Sequence, residues 1–127
     1  EGTNIAIIAT GTMVYYGLQI AEKLQKINIL CRVVDMHTIK PIDKAEVLKA
    51  CNTELIVSIE EHSIIGGLGS AISEILSSQI KKPPQLCLGI ADEFKYAASY
   101  DYLLDACGLT TEKMIEKILE KYQEVKK

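Results

Sequence analysis

Residues 60 to 69 read Glu-Glu-His-Ser-Ile-Ile-Gly-Gly-Leu-Gly, two carboxylates and an imidazole followed by three glycines. Residue types like these serve three kinds of chemistry. Histidine titrates near neutrality, so a His62 oriented by Glu60 or Glu61 could act as a general acid or base. Glycines at the head of a helix could let backbone amides cradle an anion. The same glycines also suit a plain strand-to-helix connection, where small residues permit unusual dihedrals and close packing.

Spacing limits each reading. A dinucleotide fingerprint started at Gly67 passes through Gly69 and then meets Ile72, a bulky residue where helix and strand must touch. Neither glycine-rich turn, at Gly11 or at Gly66–Gly69, continues into the Gly-Lys-Ser/Thr of a phosphate loop. His37 and His62 both fall just past expected strand ends, where Asp35, Glu60, Glu61 or Asp92 could converge with them. They lack HxH or HxxxH spacing, and a metal site needs several ligands with an ordered outer shell. There is no G-x-S-x-G elbow, and no cysteine has a histidine close by in sequence. Glu61, His62, Gly66, Gly67 and Gly69 therefore stand as a candidate interface or anion-contacting loop. No residue is assigned to catalysis, cofactor or metal.

The elements that must position this loop follow from apolar periodicity. Residues 4–9 form a continuous apolar, β-branched run, as in a strand covered on both faces. Thr10-Gly11-Thr12 then turns the chain, and a hydroxyl there can cap a helix over 13–26. The apolar stripe of that helix reads as Val14, Leu18, Ala21 and Leu24, or as Leu18, Ile20 and Leu24. A second strand spans 29–36 and stops at Pro41, and Asp43 caps a short helix over 44–50. A third strand covers 54–59. After the glycine loop comes a helix over about 69–79 with Ile72, Ile75 and Leu76 inward, then Pro83-Pro84 and a fourth strand over 85–90. A loop over 91–98 leads to a short helix over 100–107, capped by Ser99 and ended by Gly108. Thr110 or Thr111 caps the last helix, whose inner stripe is Ile115, Ile118, Tyr122 and Val125. Alternating apolar strands and helices predict an α/β fold. The form expected is a three-layer α/β/α sandwich with a mostly parallel, doubly wound sheet of four recognisable strands. Ligands of such sheets gather beyond the carboxyl ends of the strands.

Length and composition narrow the function classes. The 127 residues fit one domain over 1–127, and 48% of them are hydrophobic. The net charge of −3 leaves no footprint for nucleic acid. The apolar runs are far shorter than the roughly 20 residues a membrane span needs, so no membrane partner is expected. Cys31, Cys51, Cys87 and Cys107 are never nearer than 20 positions, the separation of Cys31 and Cys51, which excludes CxxC patterns. They read as reduced core thiols of a cytoplasmic protein. The start at Glu1-Gly2-Thr3, almost directly into a buried-type strand, suggests a piece of something longer.

Three stretches in this order carry a resemblance: Ile7-Ile8-Ala9-Thr10-Gly11-Thr12, the run from Val33 through Asp35-Met36-His37-Thr38 to Pro41-Ile42-Asp43, and Glu60-Glu61-His62 leading to Gly66-Gly67-Leu68-Gly69-Ser70-Ala71. Together they resemble the C-terminal domain of transketolase. The equivalent domains of 2-oxo acid dehydrogenase β subunits and of deoxyxylulose-phosphate synthase are alternatives, and so is a stand-alone small-anion or nucleotide-binding module. The transketolase resemblance implies a parent enzyme that moves a two-carbon ketol unit between sugar phosphates of the pentose phosphate pathway, with thiamine diphosphate and Mg2+. The motifs for cofactor and metal belong to the family's other domains, so none is carried over here. The resemblance further implies partnership with other transketolase domains or a large subunit, a homodimer, and an isolated domain without activity. The family's sheet also has an antiparallel strand ahead of the stretch matching Glu1. Without it, the strand over 29–36 would lie at a bare edge.

Overall fold

The computed structural model describes residues 3–63, 66–90 and 104–127. Four strands, β1 (Ile5–Ala9), β2 (Cys31–Asp35), β3 (Leu55–Ser63) and β4 (Gln85–Ile90), form one sheet in the order β2-β1-β3-β4. All three pairings are parallel, with Ile5 opposite both Cys31 and Leu55. The helices are α1 (Met13–Gln25), α2 (Lys44–Ala50), α3 (Leu68–Leu76) and α4 (Thr111–Val125). The α/β/α sandwich read from the sequence is the observed architecture. The loop over 91–98 with Asp92 and Glu93, the Ser99 cap and the start of the expected helix over 100–107 lie outside the described residues; residues 104–106 are helical.

Period-two alternation along β1 and β3 divides the core in two. Ile5, Ile7, Ala9, Leu55, Val57 and Ile59 face α1 and α4, where Met13, Ile20, Leu24, Met114 and Ile118 complete one cluster. Ala6, Ile8 and Ile56 face the other way, onto Val47 of α2 and Leu68, Ile72 and Leu76 of α3. Helices α1 and α3 thus lie on opposite faces of neighbouring strands. That makes the carboxyl ends of β1 and β3 the switch point of the sheet.

Two expectations need correction. The buried stripe of α1 is Met13, Gly17, Ile20 and Leu24, and Leu18 is 55% exposed. The cause is Gly17, which lets the helix lie directly on β1: a Cβ there would stand 3.3 Å from Ile7 Cγ2. Thr12 also makes no capping bond to α1 with its side chain. The Asp43 and Thr110 caps do form, through Glu46 N at 3.2 Å and Lys113 N at 3.3 Å.

The amino ends of the strands are tied to α4 through Glu54. Its Oε1 accepts from Asn4 Nδ2 at 3.2 Å, and its Oε2 accepts from Tyr122 OH at 3.1 Å and Lys126 Nζ at 2.8 Å. The Lys126 bond, reinforced by those from Asn4 and Tyr122, holds the Glu54 carboxyl below its ordinary value of 4.5. Reciprocally, Glu54 raises Lys126 above 10.5. The stability linked to Glu54 is therefore complete above about pH 4.5 and lost as pH falls through the lowered folded value; that linked to Lys126 is lost only above about pH 10.5. Tyr122→Phe should cost about 1 kcal/mol, the loss of one hydrogen bond. In acid titrations of the thermal midpoint, Glu54→Gln should flatten the decline below about pH 5 relative to wild type. Parallel curves for the two proteins would show that Glu54 is not the linked group.

Candidate functional site

At the switch point the chain leaves β3 and enters α3, and the structure corrects the sequence reading here. The third strand continues past Ile59 to Ser63, so Glu60, Glu61 and the backbone of His62 belong to it. Its pairing with β4 shifts register between Ile59 and Ser63. The continuation was hidden because its polar residues look like a loop. Ser58 and Glu60 share the side of β3 that faces α3, and both are buried.

Glu60 explains why a carboxylate can sit there. It is 1% exposed, and its two oxygens accept from Leu68 N at 2.8 Å and Gly69 N at 2.9 Å. A helix leaves its first amides without internal partners. The residue at the N-cap of α3 is Gly67, which makes no side-chain cap bond, so the capping group comes from β3 instead. A carboxylate at this end of a helix also complements its dipole. Glu60 was absent from the candidate set, although two signs pointed to it: its in-phase position with Ile56 and Ser58, and a following helix that starts on glycines.

The five candidate residues divide by role. Gly66 has a φ of +78°, which an L side chain rarely adopts, and its N donates to Ser70 Oγ at 2.9 Å. Gly67 is buried at the cap. Gly69 is required by contact, since a Cβ there would lie 2.8 Å from Cys87 Sγ and 3.1 Å from Ser58 Oγ. Gln85 Nε2 reinforces this junction by donating to Gly69 O at 2.9 Å. Glu61 is exposed on β3. His62 lies within the strand rather than beyond it.

Among the described residues, the other sequence candidates do not join this junction into a reactive centre, and Asp92 lies outside them. His37 Nδ1 lies 3.7 Å from Asp35 Oδ2, with 83% of the imidazole side chain exposed. No group of three or more His, Cys, Asp or Glu residues among the described residues could hold a metal ion. Burial pushes the Cys31 thiol up to about 11 and that of Cys51 upward as well, which keeps both protonated and poorly nucleophilic. The diphosphate of thiamine diphosphate does not fit the α3 N-terminus, because Glu60 already takes two of its amides.

The family model of the transketolase C-terminal domain matches residues 1–114. A transketolase C-terminal section from Methanocaldococcus jannaschii is 39% identical over 120 residues, covering 94% of this chain and 37% of its own length. The 1-deoxy-D-xylulose-5-phosphate synthase of Chlorobium luteolum is 39% identical over 124 residues, 97% of this chain and 20% of that protein. A solved split-gene transketolase, described as an inactive β4 tetramer, superimposes with a TM-score of 0.85 at 35% identity. The match covers 97% of this chain and 39% of that one. The chain thus spans less than two fifths of the length of these relatives.

Gly69→Ala should destabilise the fold by about 1–3 kcal/mol, the usual cost of overpacking. Adding Cys87→Ala should recover part of that loss, a coupling of at least about 0.5 kcal/mol in a denaturant-unfolding cycle. Strict additivity would mean that the glycine is not dictated by the α3–β4 contact.

Proposed function

Because the chain belongs to the transketolase C-terminal domain family, we propose that it is the non-catalytic assembly domain of a transketolase-type transferase. The parent enzyme moves a two-carbon ketol unit between sugar phosphates. Thiamine diphosphate and Mg2+, which supply the carbanion chemistry of that transfer, are held by its other domains. The present chain spans the domain over 1–127 and works by packing against those domains, or against a large subunit, in a homodimeric enzyme. Its four unpaired cysteines support a reducing, cytoplasmic setting. Among the described residues no helix is long and apolar enough to cross a membrane.

One observation supports the assembly role above the others: the edge of the sheet at β2. Among the described residues this strand has β1 on one side and no strand on the other. Beside it, Leu18, Ala21, Glu22, Gln25, Leu30 and Cys31 line an open groove of about 300 Å³. Leu18 and Leu30 there are 55% and 43% exposed. An edge strand flanked by apolar side chains is a template for another segment. The proposed occupant is a further segment of the same enzyme, since relatives of this chain carry more than half of their length outside the match.

The relatives named 1-deoxy-D-xylulose-5-phosphate synthase, up to 39% identical, favour one second reading: the same assembly role in an enzyme of that activity. Assaying the reassembled enzyme for ketol transfer and for deoxyxylulose-phosphate formation separates the two.

The chain alone should show no heat of binding with thiamine diphosphate and Mg2+ and no turnover of sugar phosphates. Co-expression with the cofactor-binding domains should restore activity. The double variant Leu18→Asp/Leu30→Asp should keep the thermal midpoint of the isolated chain while weakening that complex at least about tenfold, in line with loss of central apolar contacts. Micromolar cofactor binding by the chain alone would rule out the non-catalytic role. An unweakened complex would move the docking face away from β2.

A further inference from the structure

Glu60 does for α3 what a bound anion does at other helix N-termini. Both of its oxygens are engaged by first-turn amides, at 2.8 and 2.9 Å, and water is excluded from a side chain that is 1% exposed. A further polar group is buried beside Gly69. Two residues earlier on the same side of β3, the Ser58 hydroxyl is fully buried and has no hydrogen-bond partner. It lies against Gly69, 3.1 Å from the point a Cβ on that glycine would occupy. The junction therefore aims two amides at one carboxylate and holds an unpartnered hydroxyl against Gly69.

We propose that the α3 N-terminus is an anion site whose ligand is built into the chain, so that removing Glu60 turns it into a receptor for a small monocarboxylate. The size of the ligand follows from covalent structure. Glu60→Ala deletes Cγ, Cδ and both Oε atoms while keeping Cβ, and those four heavy atoms are the heavy atoms of acetate. A tetrahedral phosphate brings two further oxygens to a junction already so tight that one methyl on Gly69 would meet Cys87 Sγ at 2.8 Å. The built-in carboxylate also accounts for specificity in the native chain: the switch point is closed to nucleotide and sugar phosphates at α3 because its amides are already taken. This inference stands whichever activity the longer enzyme has.

The test is thermal unfolding of the Glu60→Ala chain in sodium acetate against sodium chloride, at equal ionic strength and near-neutral pH. A ligand that binds only the folded state shifts the folding equilibrium by a factor of 1 + [L]/Kd, about elevenfold at ten times Kd. The midpoint of the variant should rise with acetate and not with chloride or phosphate. Wild type and Glu60→Gln, in which the site stays filled, should not respond to acetate. Equal responses to acetate and chloride, a phosphate response matching that of acetate, or a wild-type response as large as the variant's would each overturn the proposal. If the variant is unfolded in chloride, recovery of the folded circular-dichroism spectrum in acetate supports the proposal. Failure to recover in acetate overturns it.

Discussion

A helix that begins on glycines has amides to satisfy and no side chain at its cap to satisfy them. In α3 that requirement is met from the strand behind it, where Glu60 reaches Leu68 N and Gly69 N. Much else follows from this one contact. It draws the last polar residues of β3 into the sheet and fixes where α3 starts. It also presses Gly69 onto β4, so that Cys87 and Ser58 leave no room for a side chain there. Burying a carboxylate is costly unless its oxygens are bonded, and here both are.

The part of the fold that rests on apolar alternation was legible from the chain alone. The five-residue run of β1 and the in-phase apolar positions of β3 could only be strands covered on both faces, and the helices between them forced a doubly wound parallel sheet. The differences between sequence expectation and structure share one physical origin, which is that residue type does not by itself determine contact. Leu18 was assigned to the core because it is leucine, yet the face of α1 that touches β1 is built around Gly17, where the absence of a side chain is what permits the contact. A charged residue such as Glu60 is expected beyond the strand, yet it is among the least exposed of the described residues. Small and charged residues can occupy the core when a backbone approaches closely or an amide needs an acceptor. Hydrophobic periodicity is silent about both cases.

Edge strand β2 shows how the fold divides its labour. Arg32 is the charge that would ordinarily discourage another chain from pairing with this edge, but its Nη2 donates to Glu46 Oε2 on α2 at 2.6 Å. That bond, together with one from Lys49, lowers the Glu46 carboxyl below its ordinary value and fastens α2 beside the strand. Leu18 and Leu30 stay exposed beside it. The amino ends of the strands are closed by the Glu54 cluster, which secures α4 across them. Together these contacts tie α2 and α4 to the sheet and leave Leu18 and Leu30 exposed beside β2.

The groups that first suggested catalysis can be judged by the same physics. General acid–base catalysis needs a titrating group held within hydrogen-bond reach of its partner, and electrostatic catalysis needs donors shielded from water. His37 meets neither condition, since it stands in solvent with its nearest carboxylate oxygen at 3.7 Å. Glu61 is exposed as well. Among the described residues, the carboxylate at the switch point with buried, well-aimed donors is Glu60, and its donors are the protein's own amides. The feature of this sequence that most resembles a reactive loop is thus the place where the chain has used a carboxylate to complete its own helix. The Glu60 carboxylate is engaged by the backbone amides of α3, and its role there is in folding.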